Sequence, residues 1–139
     1  IHLGDLAKGA GPLGGILAAL AKARFGVLVL PCDTPLLRAA TVDAVARVAR
    51  RHGRAVCVRG PRGVEPMVAF YPRAALPALL GGLKEGVLAL HRLLERLSPL
   101  YVEARDGVEL RNVNTREDHR EALASRRRAT RAGVEDARA

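Results

Sequence analysis

At 139 residues, with 49% of them hydrophobic, the chain suits one compact domain with a core of ordinary size, and its net charge of +9 favours anionic partners such as nucleotides, phosphate esters or nucleic acid. Its apolar runs, such as Gly26 to Leu30 and Val87 to Leu90, fall well short of the roughly 20 residues of a membrane helix, and Ile1 opens no signal-peptide pattern. Cys32 and Cys57 are far apart and outside any CxxC or Cys/His ligand spacing, so neither a disulfide framework nor a zinc site is suggested and a soluble cytoplasmic protein fits best.

Along the chain the hydrophobic period switches between strand-like and helix-like, the pattern of a layered α/β domain rather than a bundle or an all-β sandwich. Gly11-Pro12-Leu13-Gly14-Gly15 leads into the apolar helical segment Ile16 to Ala21. Phe25 to Leu30 reads as a short central strand covered on both faces and ends at Pro31. A helix is expected to start at Thr41, with Val42, Val45, Ala46 and Ala49 on one side and Arg47, Arg50 and Arg51 mostly on the other. The stretch from Arg38 to Arg62 holds seven arginines and one acid, Asp43, either a solvated face or a phosphate-attracting field.

A second strand is expected at Ala55 to Val58, then a loop marked by Gly60, Pro61 and Gly63, then a strand at Met67 to Tyr71. From Arg73 to Leu97 the pattern is helical but interrupted at Gly81, Gly82 and Gly86, giving two short helices. Strands at Leu100 to Val102 and Val108 to Leu110, separated by a turn at Asp106 and Gly107, lead to Asn112-Val113-Asn114. The final helix starts at Thr115, with Asp118 completing an acidic variant of the capping box, and runs to about Arg128; residues 129–139 read as a frayed tail. The chain has no internal repeat.

Three blocks carry the candidate chemistry. In Leu30-Pro31-Cys32-Asp33-Thr34-Pro35, a carboxylate just beyond a buried strand is placed where open α/β sheets bind ligands and where Mg²⁺ takes one or two carboxylates; the alternative is a plain turn. Gly11 to Gly15 offers backbone amides to an anion at a helix start, or is simply a helix-start turn. Asn112 and Asn114 put two amides on one side of an extended segment, to bridge a ligand or to satisfy a turn and cap. His2, His52, His91 and His119 share no ligand spacing, and Cys57 reads as a small core residue.

The ordered set GPLGG, PCDTP, EPMVAFY and NVNT resembles the molybdenum cofactor guanylyltransferases, the MobA type of nucleotidyltransferase. The resemblance spans Asp5 to about Glu121. It implies a Rossmann-like three-layer α/β fold of the nucleotide-diphospho-sugar-transferase type with a mostly parallel sheet. The implied activity is transfer of GMP from GTP to the phosphate of molybdenum cofactor with release of pyrophosphate.

Carried over residue by residue, Asp33 is the Mg²⁺-binding and catalytic aspartate. Asp5 and the block Gly11, Pro12, Leu13, Gly14 and Gly15 serve the nucleotide together with Asp33. Asn112 and Asn114 stand on the acceptor side, Asn114 with a catalytic role, while Glu65 and Pro66 match a motif with a structural role. The implied partners are GTP and a molybdopterin-type substrate, with other molybdenum cofactor proteins beyond them; neither membrane nor nucleic acid is expected. The aromatic content of 3% weighs against a single-strand reader.

The family opens with a strand and a Gly-rich loop of the LAGGxSxRMGxxK kind, and nothing before Gly11 matches it; Lys8 is wrongly placed to serve as its lysine. The expectation is therefore a single, N-terminally incomplete domain over residues 1–139, lacking that first strand and helix, with a central strand edge left unpaired and apolar surface exposed. The rival readings are a cytidylyltransferase of the same superfamily and a noncatalytic partial domain that binds a partner protein.

Overall fold

The computed structural model describes residues 9–124. Asp5, Lys8, the end of the last helix and the tail at 129–139 lie outside the described residues.

Helix α1 (Gly11–Lys22) carries a proline in its first turn, where a missing N–H costs nothing, and buries Leu13, Gly14, Ile16, Leu17 and Leu20 at helical spacing. It turns through Ala23 into β1 (Gly26–Val29). Helix α2 (Ala39–His52) buries Thr41, Val45 and Ala49. It ends where Gly53 adopts φ 62°, with Arg50, Arg51 and His52 at its negative end. Strands β2 (Val56–Gly60) and β3 (Gly63–Pro72) form a hairpin across Pro61 and Arg62. A 3-10 turn (Arg73–Ala75), α3 (Leu76–Lys84) and α4 (Leu90–Arg96) follow, then β4 (Leu100–Glu103) and α5, which is helical through residues 116–124.

The sheet order is β1-β3-β2-β4. On one face α1, α3 and α4 enclose a core of Leu13, Leu17, Leu20, Leu79, Leu93 and Leu94 against Cys57, Ala69 and Tyr71. On the other, Val45 and Ala49 of α2 pack on Val56, Val58, Val68 and Leu110. The three-layer α/β arrangement is the expected one, and Cys57 is a core residue as read from the sequence.

The expectation of a mostly parallel sheet is corrected: among the described residues only β2–β4 is a parallel ladder, while β3 runs antiparallel to both β1 and β2. A two-residue connection can only join antiparallel strands, and β3 then inserts between β1 and β2. One consequence of the expected fold survives, because β1, β2 and β4 still point the same way and present their carboxyl ends on one edge of the sheet.

Several boundaries also move. Strand β1 is shorter than Phe25 to Leu30 and, among the described residues, it is an edge strand rather than a covered central one: it pairs with β3 alone, and Phe25 is 77% and Leu30 46% exposed. Strand β2 lies two residues further on at its end, and β3 starts at Gly63 rather than Met67, because hairpin pairing extends both to the turn. Helix α2 starts at Ala39 because the Thr41 hydroxyl is drawn to Glu109 instead of capping.

Gly81 and Gly82 stay inside α3, and the chain breaks later, at Gly86 with φ 77°. Gly82 is needed for helix contact, since a Cβ there would lie 2.1 Å from Leu93 Cδ2. No strand forms at Val108 to Leu110. Asp106 Oδ1 accepts the amides of Val108 and Glu109 at 3.1 Å, a local turn that replaces strand pairing.

Candidate functional site

Beyond β1 the chain passes through Pro31 and Cys32 to Asp33, which is half-buried and has no ion-pair partner among the described residues. Its backbone carbonyl accepts the Val113 amide at 2.7 Å. That bond joins two segments far apart in sequence, and it places Asn112 and Asn114, on either side of Val113, beside the loop that carries Asp33. Both asparagines are exposed.

The asparagine segment is held at its far end by the helix it enters. Asp118 accepts the Asn114 amide at 3.1 Å and the Thr115 amide at 2.9 Å, while the Asp118 amide donates to Thr115 Oγ1 at 3.0 Å. This reciprocal pair is the capping box expected from the sequence. Hydrogen bonding from the Thr115 hydroxyl, then from the Asn114 and Thr115 amides, holds the Asp118 carboxyl below its ordinary value.

The Gly11 to Gly15 block is the first turn of α1, not a loop ahead of it. Leu13 is fully buried in the core and Gly14 is buried, so neither offers a side-chain surface to a ligand; Gly11, Pro12 and Gly15 are exposed. A three-residue link makes α1 run back along β1, so its N-terminus lies at the carboxyl end of β1, the same end of the sheet as Asp33. The block therefore remains on the correct side for an anion.

Sequence reasoning missed several residues at this end. Arg62, in the hairpin turn, reaches the Leu110 carbonyl at 3.2 Å. With Pro61, Glu65, Gly107, Leu110 and Arg111 it lines a cleft of about 280 Å³ beside Asn112. Glu109 is 1% exposed and ties the loop before Asn112 to the start of α2. Its only sequence signal was a carboxylate inside a stretch read as an apolar strand.

The oxygen donors suit Mg²⁺ rather than a softer metal. Asp33 supplies one hard carboxylate, and the neighbouring Thr34 Oγ1 is buried without a hydrogen-bond partner among the described residues. Among the described residues no three His, Cys, Asp or Glu side chains gather into a metal cage. No helix among the described residues is long and apolar enough to cross a membrane.

Comparison with known proteins gives a consistent family signal. Residues 2–100 match the model of the MobA-like NTP transferase domain, a match that ends before Asn112. The chain is 35% identical over 116 residues to a probable molybdenum cofactor guanylyltransferase of Bacillus subtilis (strain 168), covering 80% of this chain and 58% of that protein. It is 36% identical over 108 residues to a molybdenum cofactor guanylyltransferase of Pseudomonas syringae pv. syringae, covering 76% and 54%. The chain thus spans a little over half the length of these curated relatives. Among solved structures, molybdopterin-guanine dinucleotide biosynthesis protein A from Archaeoglobus fulgidus superposes with a TM-score of 0.69 at 23% identity, covering 84% of this chain and 64% of that one. That likeness shows the fold.

Proposed function

The chain belongs to the MobA-like NTP transferase family, and from that premise we propose that it serves in molybdenum cofactor guanylyl transfer, moving GMP from GTP to the phosphate of molybdenum cofactor. In that step an acceptor phosphate oxygen forms a bond to the α-phosphorus of GTP, and the bond from the α-phosphorus to the bridging oxygen breaks to release pyrophosphate. The observation that carries the reading is the 2.7 Å hydrogen bond from Val113 to Asp33, which supports a shared site for the aspartate and both asparagines.

The protein's part in such a reaction is positioning and charge neutralisation rather than covalent catalysis. Asp33 would hold Mg²⁺, whose charge on the phosphates eases attack of one anion on another. Gly11, Pro12 and Gly15, at the start of α1, would face the nucleotide through their exposed backbone, with Asp5 toward the guanosine. Asn112 and Asn114 would orient the acceptor, Asn114 closest to transfer. Arg62 beside them adds positive charge that draws in a polyanion, while the neighbouring Arg111 is paired with Glu121 at 3.1 Å.

A second reading, in which the chain acts chiefly by binding a partner protein, is favoured by one observation: among the described residues the outer edge of β1 is unpaired, with Phe25, Leu28 and Leu30 exposed beside it.

Calorimetric titration of the chain with GTP and then CTP, each with and without Mg²⁺ and with Asp33→Asn alongside, tests the first reading. The expected result is Mg²⁺-dependent GTP binding that Asp33→Asn loses. Preference for CTP would move the assignment to cytidylyl transfer, and absence of nucleotide binding by the folded chain would favour the partner-binding reading.

A further inference from the structure

We propose that Glu109 is a positioning residue that fixes where Asn112 and Asn114 stand relative to Asp33; the functional part of this inference rests on the acceptor-side reading above. Glu109 is a carboxylate in a core position, 1% exposed and next to Leu110, which packs into the apolar cluster beneath α2. An apolar residue would fill such a place at no desolvation cost, so the charge calls for another explanation.

Its hydrogen bonds supply one. Glu109 Oε2 accepts from the Thr41 hydroxyl at 2.7 Å and from the Arg38 amide at 3.3 Å, both at the start of α2. Oε1 accepts the Arg105 amide at 2.7 Å, within its own loop. The first turn of α2 contains no acid, so this distant carboxylate is the negative charge that its positive end favours.

The loop needs such an anchor. Residues 104–114 form no strand or helix, and their path is set by a few fixed points. Arg59 accepts the Ala104 amide at 2.8 Å, Glu109 grips α2, and Val113 donates to Asp33 at 2.7 Å. Asn112 lies between the last two anchors and Asn114 just past them. The Arg38–Asp106 ion pair also crosses from α2 to the loop, but both side chains are 40% exposed and solvent weakens it. Glu109 is the enclosed, water-excluding tie. Leu110 in the apolar cluster and Arg62 on the Leu110 carbonyl still hold the middle of the span, so releasing Glu109 loosens its tie to α2 and shifts the asparagines that follow.

The test uses the whole chain with Glu109→Gln, Thr41→Val and Thr41→Ser. Thr41→Val removes one donor at nearly constant shape and stands in if Glu109→Gln fails to fold; Thr41→Ser keeps the hydroxyl and is the rescue. In hydrogen exchange followed by NMR, Glu109→Gln and Thr41→Val are expected to speed exchange of the Val113 amide by about tenfold or more relative to the Cys57 and Ala69 amides of the central strands, with Thr41→Ser matching the parent. In transfer from GTP to molybdenum cofactor, the same two variants are expected to raise KM for the acceptor by about tenfold and to leave KM for GTP within about twofold.

Val113 exchange that follows the central strands, or does not change, overturns the positioning role. Equal changes in both KM values overturn its acceptor specificity. If the parent transfers nothing, the guanylyl-transfer reading fails, while the exchange result still decides whether Glu109 holds the asparagine loop.

Discussion

Adding one methyl group to Gly26 is expected to loosen the strand that delivers Asp33. A Cβ at that position would lie 2.5 Å from the Tyr71 carbonyl oxygen and 2.5 Å from Phe70 Cζ. Comfortable contact needs about 3.5 Å, so the atoms must part by roughly 1 Å. The Phe70 ring tip can yield, but the Tyr71 carbonyl belongs to the β1–β3 ladder, where Gly26 faces Pro72 and Val27 faces Tyr71. Just outside, the Arg73 amide donates to Phe25 at 2.8 Å, so the strand end is held from both sides. Overpacking costs about 1–3 kcal/mol and one strained hydrogen bond adds about 1 kcal/mol, giving a loss of about 2–4 kcal/mol for Gly26→Ala.

The control is Gly81→Ala. That glycine lies within α3 with open space where a Cβ would go, so alanine is expected to stabilise by about 0.5–1 kcal/mol. At about 4 °C per kcal/mol, thermal unfolding separates the two variants: Gly26→Ala falls by about 8–16 °C and Gly81→Ala rises by about 2–4 °C. Urea unfolding at constant slope confirms a change in stability without a change in the surface exposed on unfolding. Gly26→Ala melting within about 2 °C of the parent, or both variants moving in the same direction, would refute the steric argument.

The capping box gives a pH-dependent prediction. Thr115→Ala is expected to cost about 1 kcal/mol. Because the Asp118 carboxyl is held below its ordinary value in the folded chain, its contribution is full above the unfolded pKa and is lost as pH falls through the lowered folded value; Asp118→Asn removes that acid-side dependence, read by helical circular dichroism. The two cysteines are expected to differ in reactivity. Burial pushes the Cys57 thiol up to about 12, whereas Cys32 is exposed, so iodoacetamide at mildly alkaline pH labels the folded chain at Cys32 alone and the denatured chain at both, as mass spectrometry would count. Tyr71 is fully buried with its hydroxyl 2.8 Å from the Pro66 carbonyl; Tyr71→Phe leaves that carbonyl without its donor and is expected to cost about 1–2 kcal/mol in urea unfolding.

Much of the fold was legible because its signals are local. Pro12 and the spacing of Leu13, Ile16, Leu17 and Leu20 define α1, and Thr115 with Asp118 marks the start of the last helix, since a cap needs only neighbours in sequence. The motif order from GPLGG to NVNT identified the family, and Asp33 could be placed beyond a strand because strand and loop adjoin.

Tertiary structure decided what depends on residues distant in sequence. The direction of β3 follows from the hairpin at Pro61 and Arg62 and from its insertion beside β1, which no hydrophobic pattern encodes. The continuation of α3 through Gly81 and Gly82 to Lys84 goes with Leu93 packing over Gly82. Glu109 read as part of an apolar strand, yet burial of its carboxylate is possible only because Arg38, Thr41 and Arg105 bring three donors to it. A sequence names the groups available for hydrogen bonding; which of them meet inside the protein, away from competing water, is settled only when the layers close.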